Sequence, residues 1–224
     1  MQTRTYGELI DLIQSLIGAG TMLGDEYLKI ANFINRRYSE AYNTSPSWAR
    51  YIVSSEERTL SSGNVVPYTE GGKDNIGEFI RIHRTQAFQK NSALEYDFYV
   101  DSNGANILNI TNDNDTSAFV TYKKQLTLFT VAVSDPVVAA DFIDGGTVNG
   151  AANRALSVPL EFFNYIAHAS YADFLRLEGK REEAQVEEAV AQNYLAIELE
   201  KIDVRNNNNS INHKFSTYVN RQSR

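Results

Sequence analysis

The chain has 224 residues, with 42% hydrophobic and 22% charged residues, enough for one domain or one domain carrying a sizeable insertion. A net charge of −7 argues against a grip on phosphate backbones, which needs cationic side chains to displace counterions. Cysteine is absent, which excludes disulfides, a thiolate nucleophile and cysteine-ligated metal, and no apolar run reaches the roughly 20 residues that span a bilayer.

The N-terminus alternates polar and apolar residues at helical spacing and lacks the apolar core of a signal peptide, so the expected folding compartment is cytoplasm. A first helix is expected over Thr5–Ile17. Thr5 and Glu8 have capping-box spacing, Leu9, Leu12, Ile13, Leu16 and Ile17 share a face, and Gly18 and Gly20 end it. A second helix over Asp25–Asn43 carries the stripe Leu28, Ala31, Ile34, Asn35, Tyr38, Ala41 and Tyr42, with Arg36 and Arg37 off that stripe. Pro46 closes the helical pattern and Trp48 follows, where helical and β parts are expected to meet.

From Tyr51 the period changes. Short β-branched and aromatic stretches between turn signals predict strands at Tyr51–Val53, Asn64–Tyr68, Glu78–Arg84, Leu94–Val100, Asn106–Ile110 and Ala118–Lys124. Phe79, Arg81 and His83 alternate with Ile80 and Ile82, Tyr96, Phe98 and Val100 share a face, and 101–104 suits a hairpin turn. Residues 126–154, with Pro136, Gly145, Gly146 and Gly150, read as an irregular connection whose length implies a role.

Helical spacing returns at Pro159–Glu178, with Ser157 as candidate N-cap, a stripe of Leu160, Phe163, Ile166, Ala167, Ser170, Tyr171, Phe174 and Leu177, and Gly179 at the end. A last helix is expected over Lys180–Val204, acidic off its apolar face. Asn206–Asn209 are expected to break it, because asparagine favours local side-chain bonds over continued helix. The tail 206–224 carries +3 on a remainder of −10. Its sparse apolar residues suit an arm that orders on a partner. Ile211, Lys214, Phe215, Tyr218 and Arg221 are the candidate contacts with a neighbouring subunit or another partner chain.

The expected fold class is therefore α+β: N- and C-terminal helices forming a helical bundle (1–48 and 155–205), an inserted antiparallel β-domain (49–130), an irregular connection (131–154) and a flexible C-terminal arm (206–224). Chemistry is not legible. His83, His168 and His213 are far apart and form no metal-ligand spacing. Asp113-Asn114-Asp115 lacks the rest of a calcium loop, Gly71-Gly72-Lys73 reads as a hairpin turn, and Glu182–Glu183 and Glu187–Glu188 read as solvent-facing pairs. No catalytic residue, cofactor or metal is expected.

Several stretches in order resemble the head-to-tail adaptors of tailed bacteriophages, of the tail tubular protein A kind. They are Thr5-Tyr-Gly-Glu-Leu-Ile10, Leu28-Lys-Ile-Ala-Asn-Phe-Ile-Asn-Arg-Arg-Tyr38, Trp48, Val158-Pro-Leu-Glu-Phe162, Ala169-Ser-Tyr-Ala-Asp-Phe-Leu-Arg-Leu-Glu-Gly179, Arg181–Ala184 and Tyr194. The resemblance implies a non-enzymatic structural virion protein of the neck, assembled in host cytoplasm. It implies a ring, twelvefold to match the portal, between portal protein and downstream tail or nozzle proteins. DNA would pass through its lumen without sequence-specific binding, and no membrane is involved. The alternative is a tail-associated receptor- or carbohydrate-binding module.

Overall fold

The structure is a computed structural model that describes residues 2–18, 20, 22–61, 64–86, 94–100, 102, 104, 106–111 and 116–222, with side chains described to Val204. The fold is α+β with antiparallel sheets, and the chain divides into two compact units: Met1–Ser45 with Leu128–Arg224, and Pro46–Thr127.

The first unit is helical. Strand β1 (Thr3–Thr5) leads into α1 (Tyr6–Ile17), then α2 (Gly24–Asn43). After the β unit come a 3-10 turn at Ala139–Asp141, α3 (Val148–Arg154), β8 (Ser157–Pro159), α4 (Leu160–Leu177) and α5 (Arg181–Gln222). The capping box at α1 forms: the Glu8 amide donates to Thr5 Oγ1 (3.1 Å) and the Thr5 amide to Glu8 Oε2 (2.9 Å). Gly18 and Gly179 take positive φ just after their helices, at 73° and 83°, a backbone region that costs glycine nothing.

Helix α4 is the axis of this unit and packs against α1, α2 and α5. It is apolar nearly all round, and Phe162, Phe163, Tyr165, Ile166, Ala167, Ala169, Ala172, Phe174 and Leu175 are all buried. Its expected outer stripe members Leu160 and Leu177 are exposed. Ser157 does not cap it. That residue opens β8, which pairs antiparallel with β1 at Thr3–Pro159, Arg4–Val158 and Thr5–Ser157. On α2 the buried face is Tyr27, Ile30, Ala31, Ile34, Arg37, Tyr38 and Ala41. It is turned from the expected stripe so that Arg37 points inward.

That inward arginine joins three helices. Its Nε and Nη2 donate to the two oxygens of Asp173 at 2.7 Å each. Nη2 also reaches Glu188 Oε2 at 2.7 Å, and Nη1 reaches Glu40 Oε2 at 2.8 Å. Arg176 bridges Asp173 and Glu188 at 2.8 and 3.0 Å, and Arg36 adds a contact to Asp173. Burial alone would raise the Asp173 pKa, but the Arg37 hydrogen bonds and the charges of Arg37 and Arg36 hold it below its ordinary value. Glu188 is likewise held low against its burial, by Gln192, Arg37 and Arg176. Glu187 and Glu188, expected in solvent, are in fact half-buried, and Glu187 pairs with His168 Nδ1 at 2.8 Å.

The stretch expected to be irregular contains a turn and a helix organised by one carboxylate. Asp141 is wholly buried. It accepts from the Ser134 amide (2.8 Å), Ser134 Oγ (2.9 Å) and Thr147 Oγ1 (2.7 Å). Burial works to raise its pKa, yet these donors bring it down to about 2. Asn153 completes the clamp: its side chain donates to the carbonyls of Ala132 (2.7 Å) and Asp141 (2.8 Å) and accepts from the Ala132 amide (2.8 Å). Phe142 stacks on Tyr27 of α2 with ring centroids 5.2 Å apart, and Phe129 stacks on Tyr38 at 4.7 Å. A periodicity search cannot see such a segment, because polar side-chain contacts and single aromatic anchors replace a regular stripe.

Helix α5 does not stop at the asparagines. It is continuous for 42 residues, through Asn206–Asn209 to Gln222, which corrects the expected break. Asparagine is disfavoured in helices by only about 0.7 kcal/mol per residue at most, a bias that flanking helical turns can outweigh.

The second unit holds two three-stranded antiparallel sheets. One has the order β2 (Ile52–Thr59), β7 (Ser117–Lys124), β4 (Ile76–His83), and the other β3 (Val65–Val66), β6 (Asn106–Ile110), β5 (Tyr96–Val100). They share a core of Val66, Ile76, Ile82, Leu108, Ile110, Ala118, Val120 and Tyr122. Trp48, at the start of this unit, is buried. Register shifts at Ile76/Glu78 and Phe79/Arg81 break the expected simple alternation of β4, so Ile82 is buried while Ile80 is 42% exposed. Arg58 lies fully buried in this sandwich. Its Nη2 meets Tyr122 Oη (2.6 Å) and Glu56 (2.8 Å), whereas Nε and Nη1 meet no partner among the described residues. Tyr122 donates to Glu56 at 2.7 Å. Its pKa is pushed up to about 12 by burial first and by that bond.

Two outcomes follow from this packing. Arg37→Met removes the buried bidentate partner of Asp173 and leaves it only the more exposed Arg36 and Arg176, and is expected to cost about 2–4 kcal/mol in urea unfolding at pH 7, a little under the cost of a wholly unpaired buried charge. Because Asp173 and Glu188 sit below their ordinary values of 3.8 and 4.5, their contribution is present above that range and drains as pH falls through the lower folded-state values. The variant should therefore lose less stability than the parent between pH 5 and 3, and an unchanged acid slope would refute the role of the cluster. The second outcome concerns Gly150, where an added Cβ would lie 2.5 Å from the Ala140 carbonyl oxygen and 2.9 Å from that of Ile143. Gly150→Ala is expected to cost about 1–3 kcal/mol on the same urea scale. Gly20→Ala, whose added methyl meets nothing within 4 Å, serves as the neutral control.

Candidate functional site

Among the described residues no group of three or more His, Asp or Glu side chains could hold a metal ion, and no helix is long and apolar enough to cross a membrane. The three histidines do not converge. His83 ends β4 with both ring nitrogens buried and without a hydrogen-bond partner among the described residues. His168 on α4 pairs with Glu187 and stacks on Tyr194 with centroids 5.3 Å apart. His213 falls among residues whose side chains lie outside the described ones. Asp113, Asn114 and Asp115 also lie outside the described residues. At Gly71-Gly72-Lys73 the chain turns, with Gly72 at φ 79° and Lys73 paired with Glu70 at 2.8 Å.

One concave feature of the β unit is a cleft of about 340 Å³ lined by Tyr68, Gly77, Glu78, Phe79, Tyr96, Phe98 and Asn106. Its walls come from β4 and β5, which are edge strands of their respective sheets, with Asn106 from β6. Phe79 meets Tyr96 edge-to-face at 4.9 Å. Every residue of β5 is exposed, and Phe98 and Tyr99 are about half so, at 55% and 48%. A strand whose outer edge pairs with no other strand among the described residues, with aromatic side chains on both faces, offers backbone hydrogen bonds and large apolar area to whatever docks there. The sequence placed Tyr96 and Phe98 on one face, but Tyr68, Glu78 and Phe79 come from other segments and join them only through the sheet pairing.

The second surface is the solvent side of α5. Val186, Ile197 and Val204 are 63%, 43% and 59% exposed, and Tyr194 is 37% exposed. Val186, Ile197 and Val204 lie opposite Ala184, Ala191 and Leu195, which are buried, and Tyr194 flanks the buried face against His168. The five candidate contact residues Ile211, Lys214, Phe215, Tyr218 and Arg221 belong to the continuation of the same helix backbone, and their side chains lie outside the described residues.

In comparison with known proteins, no family model matches this chain and no curated protein matches it.

Proposed function

We propose that this protein is a structural adaptor of a tailed-phage neck, forming a ring between portal protein and downstream tail proteins. The observation that carries the reading is the length of α5. At 42 residues it is more than twice as long as its partner α4, at 18. The 18 residues from Arg205 to Gln222 prolong the rod by about 27 Å at 1.5 Å per residue. On an otherwise acidic chain, this prolongation has basic residues and no acids. A helical lever of that kind suits attachment to a separate protein. The order of the units supports the same reading: helices at both ends of the chain form one unit, and the β unit is inserted between them. An acidic body also suits a lumen through which DNA slides without being gripped. Function on this reading is assembly in the virion neck after folding in host cytoplasm, with no catalytic step.

Deleting residues 206–224 tests it. The remaining chain should keep both units folded, since α5 as far as Val204 includes the contacts to Asp173 and Arg37. Capture by the portal protein of the same genome should fall, and the loss should be larger at low salt than at high salt if the basic residues meet acidic groups, because salt screens that contact in the parent. DNA-filled heads should then leak. Undiminished portal capture with stable heads, or a virion neck whose density has no place for this chain, would sink the proposal.

The aromatic cleft favours a second reading as a glycan-binding module of the tail. Four aromatic rings beside one carboxylate and one amide suit stacking on a sugar face with hydrogen bonds to its hydroxyls. On this reading Tyr96→Ala and Phe98→Ala abolish retention on a glycan array of host-surface saccharides. Absence of any retained glycan with the parent protein removes it.

A further inference from the structure

The two sheets of the β unit begin to join and then part. The Leu94 amide donates to the Ile82 carbonyl (3.4 Å), a bond between the approach to β5 and the end of β4. From Tyr96 to Val100, β5 pairs with β6 on one side and with no other strand among the described residues on the other. The phase of the pairing is fixed by the Thr111 amide, which donates to the Glu95 carbonyl (3.1 Å). Hydrogen-bonded residues alternate along an antiparallel strand. Asp97 and Tyr99 therefore bond to β6, while the amides and carbonyls of Tyr96, Phe98 and Val100 point to the outer edge, as the Leu94 amide does.

Apolar surface is gathered at the same place. Among the described residues of the unit, the exposed large apolar side chains are Ile80, Tyr96, Phe98, Tyr99 and Val100, all on β4 or β5. Edge strands are ordinarily guarded against further pairing by lysine, proline or a bulge. Strand β5 has no lysine or proline, and its register with β6 is unbroken. Charge and alternation then select the occupant. Tyr96 and Phe98 line the cleft, so Glu95 and Asp97, both exposed, stand on the opposite face of the strand. None of the described residues lining the cleft is basic, and Glu78, which lines it, stands opposite Lys123 in the β4–β7 register. Arg81 and Arg84 lie towards the end where Ile82 already bonds to Leu94. A strand laid on this edge would thus meet aromatic rings on one face and carboxylates on the other. A saccharide would stack on the rings and leave the outward backbone groups of Phe98 and Val100 without a strand.

We propose that the β5 edge receives an extended segment of a different protein, matched to the five residues of β5, apolar on the side that enters the cleft and basic on the side that faces Glu95 and Asp97. Main-chain bonds to Phe98 and Val100 supply affinity, and the cleft and the carboxylates supply selectivity. The segment extends the three-stranded sheet by one strand and covers the aromatic rings that the sandwich leaves open. This contact belongs to the β unit alone and does not rest on the adaptor reading.

NMR titration of the full-length protein tests the contact, with the probe peptide acetyl-Lys-Val-Lys-Val-Lys-Val-Lys-amide. As the peptide rises to millimolar, the amides of Phe98 and Val100 should shift and exchange more slowly with solvent. The same peptide N-methylated at every residue should not bind, because it can donate no main-chain hydrogen bond. A peptide with glutamate in place of lysine should bind about fivefold more weakly at low salt, the worth of an exposed ion pair, and Asp97→Lys should reduce or reverse that preference. Val100→Pro removes one outward amide and leaves the β6 ladder intact, since proline is accepted on a strand edge. It should keep the parent circular dichroism and weaken the peptide, and the methylated peptide makes the same test on the unaltered chain. No change at Phe98 and Val100 with the lysine peptide, equal binding of the methylated peptide, or a glutamate peptide that binds as well would overturn the inference. Protection of both amides that grows with protein concentration alone would give the edge to a second copy and overturn the assignment of partner. Shifts at the cleft rings with a saccharide and none with the peptide would give the site to a glycan and overturn it equally.

Discussion

The helical unit depends on a buried charge being answered. Arg37 and Asp173 have side chains only 8% and 4% exposed, so neither ion is adequately hydrated, and each is tolerable because the other meets it through two parallel hydrogen bonds, with Arg36 and Arg176 adding further charge on Asp173. Glu188 and Glu40 take the remaining guanidinium donors. Since the four residues come from α2, α4 and α5, the requirement that all be satisfied restricts how those helices can be placed. Apolar contacts tolerate sliding by a fraction of a turn. A bidentate pair does not, because its donors and acceptors must stay in plane and within hydrogen-bond reach. The cluster sets register where Phe162, Phe163 and Ile166 supply most of the burial.

The same logic governs the stretch between β7 and α4. Its few large apolar residues form no regular stripe, so Asp141 and Asn153 bind backbone amides and carbonyls that would otherwise be buried without partners. Close approach then becomes possible: Gly146 and Gly150 bring the chain against the Ala140 carbonyl where no Cβ would fit. Phe142 and Phe129 lock the segment onto Tyr27 and Tyr38 of α2. A segment rich in glycine and small residues thus serves as a folded wall of the helical unit.

In the β unit, bulges decide which side chains face out. Two register shifts in β4 turn Ile80 to solvent and place Glu78 and Phe79 at the cleft. Arg58 occupies a place in the core that an aliphatic residue could fill, and Tyr122 and Glu56 compensate only part of its guanidinium. Both sheets end in edge strands at the cleft, so the exposed aromatic rings stand beside strand edges that pair with no further strand among the described residues.

Local patterns in the sequence determined the element types. The Thr5–Glu8 capping box, the apolar spacing of α1, α2 and α4, glycine after α1 and α4, and the β-branched runs at Asn106–Ile110 and Ser117–Lys124 depend on neighbours three or four positions away, or on strict alternation. Those signals are written along the chain itself. Only the tertiary structure decided that Arg37 faces inward, that Glu188 is half-buried, that β1 and β8 pair, and that Tyr68, Phe79 and Tyr96 line one cleft. Each depends on residues far apart in the chain, and their meeting changes the energy of a charge or a ring more than any local preference does. Helix α5 shows the competition directly: four asparagines each weaken the helix slightly, yet its backbone carries through them.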